Sequence, residues 1–349
     1  MWLHVLLLIV GFVLLYYGAE WLVKGSANLA RSLGITPIVI GLTVVAFGTS
    51  APELVVSVLA SFADKSMIAV GNVVGSNIAN IALILGMSAF LCPLTTGRSV
   101  IMRDIPIMLG ISFYLMFLSM NSYISRIEGV TLFGGVILYT VFSYYISAKE
   151  TRLALAAQAA NGNPGNPGAL VVDSPAEARE LLSEARDEIE EIGIIESRPK
   201  QIGLILIGIA GVVIGAQVLI DSAVVVMKTF GVSEKFIGLT IVAVGTSLPE
   251  LATSVVAALR KEMDISIGNV IGSNVFNILS VIGAAAIVKP ISIPGGFFES
   301  GLIYDYLVMI FISFLPWLLM RKDYTIRRSG GLLLLCCYVG YMAYLVYRG

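Results

Sequence analysis

The chain has 349 residues, 57% of them hydrophobic and 13% charged, with 22 Lys and Arg against 23 Asp and Glu for a net charge of −1. That much apolar surface cannot be hidden in a water-soluble fold, and a mean hydropathy of +0.92 points to a polytopic membrane protein. The charge balance implies no nucleic-acid partner, and the three cysteines, Cys92 and the adjacent Cys336 and Cys337, have neither metal-ligand nor disulfide-framework spacing.

Ten apolar runs follow one another at 3–23, 35–61, 66–91, 104–122, 128–147, 201–227, 236–259, 264–288, 302–320 and 330–347. Most are long enough to cross a bilayer core of about 30 Å, so the expected fold is all-α with ten transmembrane helices. Span one holds the single histidine, His4, which has no partner residues for chemistry, and continues into GAEWLVKG without the small-residue cleavage site of a signal peptide. It ends in GAEWLVKGSANLARSLGI, and GAQVLIDSAVVVMKTFGV recurs 197 residues later, with Gly18/Gly215, Ala19/Ala216 and Gly34/Gly231 in register. Small residues there most simply allow helices to pack closely. Span two opens with Thr36-Pro37, a cap residue before a proline at the first helical position, and span seven has Ser233 in the same place.

Spans two and three carry a motif that spans seven and eight repeat. Gly41 to Gly86 begins GLTVVAFGTSAPELVVSV and closes GNVVGSNIANIALILG, while Gly238 to Gly283 begins GLTIVAVGTSLPELATSV and closes GNVIGSNVFNILSVIG. At the constant offset of 197 the two 46-residue segments agree at 24 positions, and the agreement is concentrated in glycines and polar residues, including Asn72/Asn269 and Asn77/Asn274. Two copies give five spans per repeat, residues 1–147 and 201–349, and an odd number inverts the second copy in the membrane. The segment 148–200 between them has a different composition: a turn-rich linker NGNPGNPG, then Ser174-Pro175-Ala176-Glu177 as a capping box opening an acidic helix without EF-hand spacing. If the N-terminus lies outside, 16 of the 22 Lys and Arg fall in cytoplasmic loops. The expected topology is therefore a multi-pass cell-membrane protein with both termini outside and the central loop in the cytoplasm.

A carboxylate at membrane depth is costly unless paired, hydrated or neutralised, so Glu53 and Glu250 at equivalent repeat positions point to function. Pro52 and Pro249 cannot donate the helical hydrogen bond and free carbonyls one turn earlier, around Ala46 and Gly48 and around Ala243 and Gly245. Such broken backbone is tolerated at membrane depth only against a cavity or protein. Helical spacing puts Thr49 with Glu53, Ser76 with Asn80, Thr246 with Glu250 and Ser273 with Asn277 on shared faces. The inventory is all oxygen, which suits a hard cation such as Ca²⁺ or Na⁺ and suits zinc or copper poorly.

GTSxPEL followed by GNVxGSNxxN, present twice, resembles the α-repeats of the sodium/calcium exchanger family within the cation/calcium antiporter superfamily. The likeness covers all ten spans. The large calcium-binding regulatory domains of animal members have no counterpart, so the chain looks like a compact prokaryotic-type member. The resemblance implies that Glu53 and Glu250 bind calcium and sodium in competition, helped by Thr49, Thr246, Ser50, Ser247, Ser76, Ser273, Asn80 and Asn277, with the carbonyls of Ala46 and Ala243 serving sodium. It implies that spans one and six slide against the rest, and that Ca²⁺ and Na⁺ are cargo, with no cofactor and no obligate protein partner. Potassium-carrying relatives tend to have Asp where this chain has Asn277, so the resemblance also implies potassium independence. The rival within the superfamily is a calcium/proton antiporter, whose usual signature resembles GNATE. A channel would need a selectivity filter, and an intramembrane enzyme a His-rich metal motif or a Ser/His pair; the sequence offers none of these.

Overall fold

The computed structural model describes residues 2–160, 195, 197–230 and 245–348. Among them the helices are α1 (Trp2–Leu33), α2 (Pro37–Thr49), α3 (Ala51–Phe62), α4 (Ser66–Leu91), α5 (Val100–Ser119), α6 (Arg126–Ala160), α7 (Arg198–Thr229), α8 (Leu248–Leu259), α9 (Met263–Val288), α10 (Leu302–Met320) and α11 (Arg328–Arg348). Eight are long and apolar enough to cross a membrane, and α2 with α3 makes a ninth, bent by 46°. The short apolar helix α8 is the described part of span seven; the rest of that span, the linker and the capping-box helix lie outside the described residues.

α1 runs ten residues beyond the apolar stretch that ends at Val23. Arg31 in its last turn pairs with Glu262 at 2.8 Å, so hydropathy marks the lipid-embedded part and not the helix end; Glu20, within the apolar stretch, pairs with Arg260 at 2.7 Å. Thr36 does occupy the N-cap position before Pro37, with extended backbone, but it makes no capping hydrogen bond; its hydroxyl pairs with Ser147 Oγ at 3.0 Å. The proline already removes one amide that a cap would serve, and the hydroxyl ties α2 to α6 instead.

α1 and α7 pack along most of their lengths, and glycines set how closely. A Cβ on Gly18 would stand 2.6 Å from Val212 N, one on Gly11 2.9 Å from Leu219 Cβ, and one on Gly25 2.9 Å from the Gln201 carbonyl. Residue numbers fall along α7 as they rise along α1, so these equivalent helices of the two repeats are antiparallel. The same reciprocity appears between α4 and α11, where Gly86 meets Gly331, and between α9 and α6, where Gly283 meets Gly129.

Short strands close the loops in the same reciprocal way. Leu94–Thr95 (β1) pairs with Thr325–Ile326 (β4), and Tyr123–Ile124 (β2) pairs with Ile291–Ser292 (β3); β1 and β3 stand at equivalent repeat positions. The core sits where α4 and α9 cross, with Val73, Ile78, Ile81, Val270, Val275 and Ile278 all excluded from solvent. Phe117, Leu138, Leu206 and Phe311 point outward from the surrounding helices, as lipid-facing residues do. The centre of the bundle is thus the place where the doubled motif meets itself.

Candidate functional site

Each half of the site begins at a helix break. Ser50 (φ −80°, ψ 7°) separates α2 from α3, and Ser247 (φ −89°, ψ 8°) precedes α8. Pro52 and Pro249 follow in the first turn, so the carbonyls of Gly48 and Gly245 lose their usual amide donors. The Ala46 carbonyl is not bare: it accepts the Ser50 amide at 3.0 Å and the Thr49 hydroxyl at 3.4 Å, which leaves no lone pair without a hydrogen bond in this arrangement. Ala243 lies outside the described residues. Each break sets a glutamate in the first turn of the next helix, where the helix dipole favours negative charge.

The two carboxylates are each held by the opposite repeat. Ser50 Oγ donates to Glu250 Oε1 at 3.0 Å, and Ser247 Oγ donates to Glu53 Oε1 at 3.2 Å. Thr49 Oγ1 donates to Asn269 Oδ1 at 3.1 Å, and Thr246 Oγ1 donates to Asn72 Oδ1 at 3.4 Å. Asn72 Nδ2 in turn donates to Ser57 Oγ at 3.0 Å, matched by Asn269 Nδ2 to Ser254 Oγ at 2.9 Å. Deeper in, Asn80 Nδ2 donates to Asn274 Oδ1 at 3.0 Å and Asn277 Nδ2 to Asn77 Oδ1 at 3.2 Å. Every bond has a twin at the offset of 197, so one pseudo-two-fold arrangement places both halves at a single interface.

Six side-chain oxygens at this interface are buried and have no hydrogen-bond partner among the described residues: Glu53 Oε2, Glu250 Oε2, Ser76 Oγ, Ser273 Oγ, Asn80 Oδ1 and Asn277 Oδ1. They form three equivalent pairs. A buried polar atom left unpaired costs about 1–3 kcal/mol, and more where charge is involved. Nine other buried side-chain atoms among the described residues also lack a partner, but only these six fall in repeat-equivalent pairs, as a ligand shared by the two halves would have it. Asn80 and Asn277 also open π-helical turns, Asn80–Leu85 and Asn277–Ile282, and such widened turns are often found at functional sites. α3, with Glu53, packs on the turn of Asn277, and α8, with Glu250, packs on the turn of Asn80. What the amides do not donate to one another, their carbonyl oxygens leave available.

Among the described residues no group of three or more His, Cys, Asp or Glu side chains is placed to hold a metal ion. Two carboxylates with hydroxyl and amide oxygens fit a hard cation that accepts irregular oxygen shells. Of the sequence-predicted site residues, Ser50 and Ser247 bond the glutamates of the opposite repeat, Thr49 and Thr246 bond Asn269 and Asn72, and Asn80 and Asn277 bond Asn274 and Asn77. Ser76 and Ser273 are buried with no hydrogen-bond partner among the described residues. The sequence reading left out the second layer, Asn72, Asn269, Asn77, Asn274, Ser57 and Ser254, although each recurs at the repeat offset and that recurrence was the available signal.

Comparison with known proteins agrees with this chemistry. Residues 3–146 and 200–347 match the family model of the sodium/calcium exchanger protein. The chain is 32% identical to the sodium/calcium exchanger MaX1 of Methanosarcina acetivorans over 98% of both chains, and 34% identical to the putative antiporter CaxA of Alkalimonas amylolytica over 95% of both. Its fold superposes on the solved sodium-calcium exchanger NCX_Mj with a TM-score of 0.75 at 29% identity, covering 98% of each chain. The relatives are transporters, and the cations they exchange are cargo, not resident cofactors. The chain belongs to the sodium/calcium exchanger family: it is a compact, multi-pass cation/calcium antiporter, not an enzyme.

Proposed function

We propose that the protein exchanges sodium for calcium by alternating access at one site, with Glu53 and Glu250 as the charged ligands. Thr49, Thr246, Ser50, Ser247, Ser76, Ser273, Asn80 and Asn277 complete the cage, and the carbonyls of Ala46 and Ala243 serve sodium, that of Ala46 by exchanging the long 3.4 Å bond from the Thr49 hydroxyl for the ion. The observation that carries this reading is the set of six partnerless buried oxygens in three symmetric pairs. Two carboxylates neutralise one Ca²⁺ or two Na⁺, and both ions accept similar oxygen cages, so occupancy is mutually exclusive. Any further sodium bound in the cycle moves net charge, which makes the exchange electrogenic. The cation-free site, with two uncompensated carboxylates, is the species that cannot cross, and coupling follows from that.

Residues 1–147 and 201–349 form the two inverted halves, and 148–200 is a cytoplasmic loop outside the transport machinery. The distribution of Lys and Arg supports both termini on the outer side. The bilayer and the two ions are the partners this mechanism needs. Purified protein in sealed vesicles tests the reading: an imposed sodium gradient drives ⁴⁵Ca²⁺ uptake, whereas an imposed pH gradient of equal size does not. Uptake driven by the pH gradient and indifferent to sodium would instead identify proton exchange.

A further inference from the structure

A cavity of about 470 Å³ lies beside the second helix break, lined by Val56 of α3, by Gln217, Ile220, Asp221 and Val225 of α7, and by Thr246. Thr246 is half-buried, while its equivalent Thr49 is completely buried, so this cavity reaches the site at the less buried threonine of the pair. Asp221 is exposed, and its Oδ1 accepts a hydrogen bond from Gln217 Nε2 at 2.9 Å. It stands eight residues before the end of α7, about 12 Å along the helix at the usual rise. A carboxylate at that depth is expensive against lipid and belongs in a hydrated passage.

The other repeat lacks this arrangement. The positions equivalent to Gln217 and Asp221 are Glu20 and Lys24, where the charge sign at the second position is reversed. Glu20 there is held by Arg260 at 2.7 Å, and Thr49 is fully buried. The acid beside Thr246 therefore has no counterpart in the first repeat.

We propose that Asp221, oriented by Gln217, forms an outer access subsite that gathers hydrated hard cations, divalent ones most strongly, in the passage leading to Thr246. This rests on the exchange reading and on the outward direction of α7's C-terminal end. One negative charge about 10 Å from a cation across water enhances local occupancy roughly fourfold for a divalent and twofold for a monovalent ion, and salt screens it.

The test is ⁴⁵Ca²⁺ uptake with sidedness controlled. Asp221→Asn raises half-saturating external calcium about fourfold at low ionic strength, keeps the maximal rate, and loses the difference when choline chloride is added; Asp221→Glu behaves as wild type. In a background without Cys92, Cys336 and Cys337, Asp221→Cys reacts with membrane-impermeant thiol reagents from the external side. A sulfonate adduct restores the low half-saturation, and an ammonium adduct raises it further. An unchanged half-saturation in Asp221→Asn, labelling only from the cytoplasmic side, or no labelling overturns the proposal. If wild type shows no exchange the function itself fails, and the labelling still reports on its own whether the passage holds water.

Discussion

Replacing either glutamate by glutamine separates cargo binding from folding, because the two are predicted to change in opposite directions. Glu53 and Glu250 are both fully buried, each with one oxygen held by a serine of the other repeat and the second without a partner. A calcium–oxygen distance of about 2.4 Å and an effective dielectric near 20 put the gross attraction of one carboxylate for Ca²⁺ on the order of 14 kcal/mol. Most of that is offset by the cost of dehydrating both ions. A net loss of only about 4 kcal/mol still weakens binding by roughly a thousandfold. Glu53→Gln and Glu250→Gln therefore abolish calcium uptake in reconstituted vesicles. The amide relieves a buried charge, so the cation-free protein keeps or gains thermal stability, while the upward shift in unfolding temperature that calcium gives wild type disappears. Wild-type transport in either variant would refute the role of that carboxylate. Loss of the fold in both would show the glutamates to be structural.

Three further outcomes follow from particular contacts. Joining the ends after removal of Asn161 to Glu190 through a short flexible linker preserves sodium-driven calcium uptake, since no site residue lies there; loss of uptake in a well-folded deletion would place an essential function in the loop. Replacing potassium by choline on both sides at fixed membrane potential leaves the rate unchanged, because Asn277 is neutral and donates its amide to Asn77 Oδ1 at 3.2 Å, a bond that an ionised aspartate could not make; a several-fold fall would reveal a cation site without a third carboxylate. Gly18→Val sets side-chain atoms against the α7 backbone 2.6 Å away and lowers stability by about 1–3 kcal/mol with a parallel loss of transport, whereas Gly110→Ala, with nothing within 4 Å of its Cβ, is tolerated; equal melting temperatures for the two variants would contradict the packing.

Much of this site was legible in the sequence because polar residues inside apolar runs have few reasons to be there, and their recurrence at a fixed offset removes most of the remaining ones. The prolines announced the breaks at Ser50 and Ser247, and Ser76 and Asn80 stand one turn apart at the end of one helix, whereas the break at Ser50 falls between Thr49 and Glu53. What spacing could not show is which partner each group takes across the repeat interface. Ser50 serves Glu250 rather than the glutamate three residues along its own chain, and only the crossing of the two halves decides that. The π-helical turns at Asn80 and Asn277, which pack against α8 and α3, left no composition signal. Proline at position 52 suggested freed carbonyls around Gly48 and Ala46; that of Ala46 accepts the Ser50 amide at the ordinary helical spacing, so the one deprived of its donor is that of Gly48. The far end of α1 was missed because Arg31 reads as loop until Glu262, distant in sequence, is found beside it.

The central claim is that calcium and sodium contend for one cluster built from both repeats. Equilibrium ⁴⁵Ca²⁺ binding to the purified protein at a series of sodium concentrations tests it without transport. The account predicts one calcium per chain at saturation, an apparent affinity that falls more steeply than in proportion to sodium, and a capacity that sodium leaves unchanged. Sodium that lowers the capacity while leaving the affinity of the remaining sites intact, or calcium binding that persists in Glu53→Gln combined with Glu250→Gln, would contradict it.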